Sequence, residues 1–229
     1  SPRPVGPVPG PATLALGWLD RARTPGMLAM AGLVFCYRFG DQLVASLLGP
    51  FLTDQGLDLA TIALMKGAVG SGTPEVGTSL AGAALGGAFL VAVGRRSALL
   101  LAGLGQAACF GLYIAAALGT GGAGLLWAAT VLEGVVGTMA TVALFTVMMD
   151  AADPEHAGTD YTLLASVVVL VGAIAGLAGG LLGDRIGYAA TFVLGAGLAA
   201  AGCLVAVAWL DRRDRPSRLA RTWAGPSAV

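Results

Sequence analysis

Six apolar stretches, each long enough to cross a bilayer, run almost without a break from residue 27 to residue 210. A hydrocarbon core about 30 Å thick needs about 20 apolar residues per helix. The chain supplies that repeatedly, with charge nearly absent from the stretches, so it reads as an all-α membrane protein with six transmembrane helices. Only 11% of its residues are charged, against 56% hydrophobic.

The remaining composition removes other classes. Formal net charge is zero, so no basic excess points to nucleic acid and no acidic tail is present. Gly is 36 of 229 residues, and glycine is enriched where membrane helices approach closely. Cys36, Cys109 and Cys203 fall inside apolar stretches and read as small buried thiols, with no metal spacing and no disulfide framework. Nothing calls for a cofactor.

Residues 1–26 read as a Pro/Gly-rich linker, in which Leu14 to Arg23 could lie on a membrane surface with Arg21 and Arg23 toward phosphates. The helices are expected near 27–51, a second ending at Val93, then 97–118, 124–149, 161–183 and 188–210. Residues 211–229 form a basic tail. Placing both termini in the cytoplasm leaves Arg3, Arg21, Arg23, Arg95, Arg96, Arg212, Arg213, Arg215, Arg218 and Arg221 inside and only Arg185 outside, as the positive-inside rule requires.

The second stretch is the least regular. Ala60 to Val93 is too long for one upright span at about 1.5 Å per residue, and GAVGSGTPEVG (67–77) interrupts it. Either Val76–Val93 crosses alone after a turn, the simpler reading, or a broken helix runs through, which is tolerated only against protein or a wet cavity. Small residues recur at packing intervals: Gly172, Gly176 and Gly180 as a tandem GxxxG, Gly82 with Gly86, and Gly195, Ala199 and Cys203.

A charge at mid-bilayer costs roughly 2.5–3.5 kcal/mol on insertion scales, so those retained mark functional candidates. Arg38 and Asp41 lie three residues apart, on one helix face. Glu133 sits near the middle of the fourth stretch with no cation in its own helix. It is the carboxyl expected to carry a proton, whereas Asp41 should stay ionised beside Arg38. Lys66 joins them only if the second helix begins near Ala60. The plainer alternative is a self-satisfied Arg38–Asp41 pair with Glu133 bonded to a neighbouring helix.

Asp150, Asp153, Glu155 and Asp160 make the loop after the fourth stretch acidic. Thr159 and Asp160 suit a helix N-cap; a gate against Arg95 and Arg96 is the other reading. His156 reads as a solvated loop residue. Gly119 to Gly124 fits GxGxxG on paper, but it follows no strand, so the dinucleotide reading fails its context. No catalytic constellation is present, and the chain does not read as an enzyme.

The residues then resemble a known group. GGAFLVAVGRR (86–96) is similar to the G-x-L-x-D-R-x-G-R-R loop of the major facilitator superfamily, without its Asp-Arg, and GGLLGDRIG (179–187) is similar to its Asp-Arg-x-Gly turn. YRFGDQLVASLLGPFLTDQGL (37–57), LEGVVGTMATVALFTVMMD (132–150) and TDYTLLAS (159–166) resemble AmpG-type muropeptide permeases and the related rhizobactin/pyochelin-type siderophore permeases. The resemblance implies that residues 27–210 are one half of a 12-helix bundle in the inner membrane, partnered by an N-terminal six-helix half or a second copy. It implies proton-coupled import of a polar organic solute such as a siderophore or muropeptide. Tyr37, Arg38, Asp41 and Lys66 would meet the solute, Glu133 would carry the proton, and Arg95, Arg96, Asp150 and Asp160 would gate. The competing class is a non-transporting six-helix scaffold that acts through helix association.

Overall fold

The computed structural model describes residues 22–65, 74–212 and Trp223, with side chains in the second segment from Gly77. Lys66, most of the 67–77 interruption, most of the linker and the tail arginines beyond Arg212 lie outside the described residues.

The described chain is all-helical. Its helices are α1 (Pro25–Asp54), α2 (Leu59–Met65), α3 (Pro74–Ala117), α4 (Gly122–Ala151) and α5 (Ala157–Arg212). Every one but α2 is long and apolar enough to cross a membrane. α1 opens with proline at its first position, where the missing N–H is no loss. It ends at Gly56 in the left-handed region, with Gly56 N–H on the Thr53 carbonyl at 3.0 Å and Leu57 N–H on that of Leu52 at 3.3 Å. That pattern of backbone bonds satisfies carbonyls the helix would otherwise orphan. Asp58 caps α2, its Oδ2 accepting the Thr61 backbone N–H at 3.4 Å, and its Oδ1 accepts the Thr61 hydroxyl at 2.5 Å; the hydroxyl bond first, then the backbone bonds, hold its exposed carboxyl below the ordinary range.

α3 has 44 residues and α5 has 56, about 66 and 84 Å if straight. Neither is straight. Gly94 (φ 80°, ψ 166°) breaks α3 and Gly187 (φ 79°, ψ 169°) breaks α5, in a backbone region that is essentially glycine-only. The packing shows a reversal at each. Before Gly94, Thr78 meets Gly134, Gly82 meets Val135 and Gly86 meets Met139, so α3 rises with α4. Beyond it, Gln106 meets Gly137 and Tyr113 meets Thr130, so α3 descends along α4. α5 does the same on α1: Gly172 lies by Gln42 and Gly183 by Leu47, then Gly195 lies by Val44 and Gly202 by Cys36.

Several expected boundaries move. The first helix begins at Pro25 rather than 27 and runs to Asp54, and the fourth spans 122–151 rather than 124–149. The segment expected at 97–118 starts directly after Gly94 and stops at Ala117. The one expected at 161–183 begins at Ala157 and runs to the Gly187 break, because no separate loop is needed where one glycine reverses the chain. Thr159 and Asp160 are therefore inside the first turn, not at the cap. The Ala60 region forms the separate short α2, and helix resumes at Pro74.

The tandem GxxxG is only partly a packing face. A Cβ at Gly172 would touch Gln42, but one at Gly176 or Gly180 would meet nothing within 4 Å. In this stretch of α5 the glycines that press closest on α1 are Gly179 and Gly183, against Ser46 and Leu47. Gly82, Gly86 and Gly195 do sit at close approaches.

α1 packs mainly on α5, α4 mainly on α3, and α3 also on α5. Buried side chains form two apolar clusters. One gathers Val34, Leu99, Val147, Met148 and Leu164, and the other Phe51, Phe110, Tyr113 and Phe192. Large apolar residues such as Val169, Leu170, Leu177 and Leu181 face outward, as helices bathed in lipid require.

Candidate functional site

Between the two clusters lies a polar layer. Arg38 and Asp41 occupy the middle of α1 and form an ion pair, Nη1 to Oδ2, at 2.7 Å; the side chains are 12% and 8% exposed. Spacing of three on a helix places both on one face. The pair is anchored from two other elements. Gln106 of α3 donates Nε2 to Asp41 Oδ1 at 2.5 Å. Arg38 Nη1 also donates to Thr141 Oγ1 of α4 at 3.3 Å, and Thr141 gives its own proton to the Gly137 carbonyl at 2.9 Å. Both Asp41 oxygens thus accept from charged or amide donors. Arg38 Nε is the buried side-chain polar atom, among the described residues, that has no hydrogen-bond partner.

These groups face a cavity of about 300 Å³ whose lining includes Arg38, Asp41, Gln106, Glu133, Thr138 and Thr141. That size is at the lower end for a small-molecule site. Glu133 enters it from α4, one helical turn before Gly137. A Cβ added to Gly137 would stand 2.8 Å from Glu133 Oε1 and 3.0 Å from Gln106 Nε2. Glycine is what lets both polar tips gather at that point. The layer can therefore bind a charged or strongly polar solute and offers a carboxyl group beside it. Its ion pair is desolvated, so its partners matter more than they would in water.

Of the expected solute-facing residues, Arg38 and Asp41 line the cavity together with Glu133, the expected proton carrier, and Lys66 lies outside the described residues. Tyr37 does not line it. Its hydroxyl donates to the Leu99 carbonyl at 3.1 Å, and the ring is buried in the first apolar cluster. Adjacent residues on a helix point about 100° apart, so Arg38 in the cavity turns Tyr37 into the packing. Gln106, Thr141 and Gly137 were not singled out from the sequence. A lone amide in the apolar run LAGLGQAACFG is the signal that could have raised Gln106.

The expected gate residues divide. Arg95 Nε reaches Asp150 Oδ2 at 3.1 Å, tying the Gly94 turn to the end of α4. Arg96 instead forks onto Asp211 at the end of α5, with Nη2 at 2.9 Å and Nε at 3.0 Å. The Trp223 indole donates to the same carboxylate at 2.9 Å. Asp160 is buried and accepts the Asp153 backbone N–H at 3.0 Å, which braces the loop. At the other end, Tyr188 donates to Asp54 at 2.6 Å across α5 and α1. His156 is half exposed, 3.6 Å from Asp153.

Residues 30–228 match the sequence profile described as the Major Facilitator Superfamily.

Proposed function

The chain belongs to the major facilitator superfamily, so it is an integral membrane protein of a secondary-transporter family, and from that premise we propose proton-coupled import of a polar organic solute through the α1–α3–α4 cavity. The observation that carries the reading is the layer itself: a desolvated ion pair and a separate carboxyl open to one cavity, between two dry clusters. Ionisable groups kept at that depth mark solute and proton pathways.

In this reading α3 and α5 each cross twice, reversing at Gly94 and Gly187, which makes six crossings with both termini cytoplasmic in the inner membrane. The six form one half of a 12-helix bundle that rocks against its counterpart about a midplane site. A solute anion competes with Asp41 for Arg38, and Glu133 carries the coupled proton. The Arg95–Asp150 contact closes the cytoplasmic end. A siderophore or a muropeptide fits the polar lining, in keeping with the resemblance of residues 37–57 and 159–166.

The test is uptake by the protein at its full encoded length, in right-side-out and inverted vesicles. Labelled ferric siderophore and anhydromuropeptide are offered in parallel, with and without a protonophore. Accumulation of one that collapses with the protonophore, and in Glu133→Gln no longer responds to it, is expected. Equal protonophore sensitivity in wild type and Glu133→Gln overturns the role of Glu133. Accumulation of neither, with the protein inserted, overturns the cargo and favours the scaffold.

A further inference from the structure

Gln106 is nearly fully buried, and a buried amide without a task is costly, since each unsatisfied polar group forfeits its hydration. One of its N–H groups is committed to Asp41. A primary amide nitrogen carries two donors. The same nitrogen lies 3.0 Å from the Cβ position of Gly137, and Glu133 Oε1 lies 2.8 Å from that position. Gln106 therefore stands between the two carboxyl groups of the cavity, one on α1 and one on α4, and it comes from a third helix. The remaining space between amide and Glu133 is short enough for a small side-chain rotation or one bridging water to join them.

We propose that Gln106 is a positioning residue for proton coupling: it holds Asp41 against Arg38 and presents its amide to Glu133 across Gly137, so that the ion pair meeting the solute and the carboxyl carrying the proton sense each other's state. The proposal rests on the transport reading above and adds the residue that links its two parts. When a solute anion draws Arg38 from Asp41, Asp41 leans on its remaining donor, Gln106, and less of that amide is left for Glu133. The affinity of Glu133 for its proton then depends on solute occupancy, which is the thermodynamic content of coupling. Among the described residues, the charged and titratable groups around this contact are Arg38 and Asp41 from α1, Cys109 and Tyr113 from α3, and Glu133 from α4.

Gly137 provides an independent handle. An added Cβ there collides with the tips of two flexible side chains. The helix can therefore keep its path, and alanine is the better helix former, but Glu133 and Gln106 are pushed apart. At Gly176 the same change meets nothing within 4 Å.

The experiment needs no identified solute. Infrared difference spectra are recorded across a pH titration on the purified full-length protein in liposomes. The carboxylic C=O band that disappears in Glu133→Gln is assigned to Glu133. Gln106→Leu and Gly137→Ala are each expected to displace its midpoint by about one pH unit, tenfold in proton affinity, while Gly176→Ala leaves it in place. An unmoved midpoint in both Gln106→Leu and Gly137→Ala, or an equal shift in Gly176→Ala, overturns the role of Gln106 and leaves proton coupling standing. Absence of any Glu133-dependent band overturns the coupling reading and this proposal with it.

Discussion

α1 has two faces that solve opposite problems. Toward α5 it is dry and close: a Cβ at Gly40 would run into the backbone of Ala199 and Gly195, and one at Gly202 into the backbone of Cys36. Toward α3 and α4 it holds an ion pair, an amide and a cavity of about 300 Å³. At Gly40 and Gly202 the seam has almost no room to change, because its contacts there are backbone on backbone. The cavity side is held by side-chain tips, which can exchange partners. A helix that must stay attached to one neighbour while admitting a solute beside another is well served by that division.

The largest effect expected from breaking this contrast is on the wet side. Removing one member of a buried ion pair leaves the other charge uncompensated, at about 3–5 kcal/mol, whereas replacing both by apolar residues of similar volume is often neutral. Arg38→Ala should lower the unfolding midpoint in detergent strongly. The double variant Arg38→Met/Asp41→Leu should recover most of that stability and yet abolish uptake. A double variant as unstable as the single would make the pair a structural lock and erase the distinction between the faces.

The dry side comes next. Gly40→Ala adds one methyl group, but into backbone that has no rotamer to yield. Overpacking of this kind costs about 1–3 kcal/mol. The useful comparison is Gly137→Ala, whose methyl meets only the ends of Glu133 and Gln106. Gly40→Ala should reduce stability and folded yield. Gly137→Ala should spare both. Equal losses in thermal scans would mean that the cavity side is packed as tightly as the seam.

The same contrast explains what could be read from the chain. Long apolar runs announce membrane helices because hydropathy is a property of composition, and Arg38 with Asp41 announces a site because i, i+3 spacing fixes a shared face whatever the tertiary structure. Gln106 does not stand out, since one amide hardly alters the hydropathy of its run. The role of Gly137 needs knowledge of which side chains α1 and α3 bring to it. Tyr37 misleads for a different reason: the resemblance groups it with Arg38 and Asp41, and helix geometry turns its ring into the packing. The reversals at Gly94 and Gly187 are marked by turn-like sequence, but that one residue suffices for each depends on a backbone conformation that only glycine takes readily.

The smallest expected effect carries the opposite sign. Gly172, Gly176 and Gly180 form an unbroken small-residue pattern, yet the seam uses Gly172, Gly179 and Gly183. At about 100° per residue, steps of four carry Gly176 and Gly180 roughly 40° and 80° around the helix from Gly172. Gly179 and Gly183 stay within roughly 20° of it on either side. The tandem motif therefore turns away from α1 as it proceeds, and a methyl group at its last two positions enters open space. Gly176→Ala and Gly180→Ala should leave uptake intact and raise the thermal midpoint slightly, by the roughly 0.5–1 kcal/mol that alanine gains over glycine inside a helix. A fall in stability at either position, measured in the full-length protein, would mean that another helix of the assembled transporter closes on that side of α5. The choice between seam and open surface would then be set by the assembly rather than by α1.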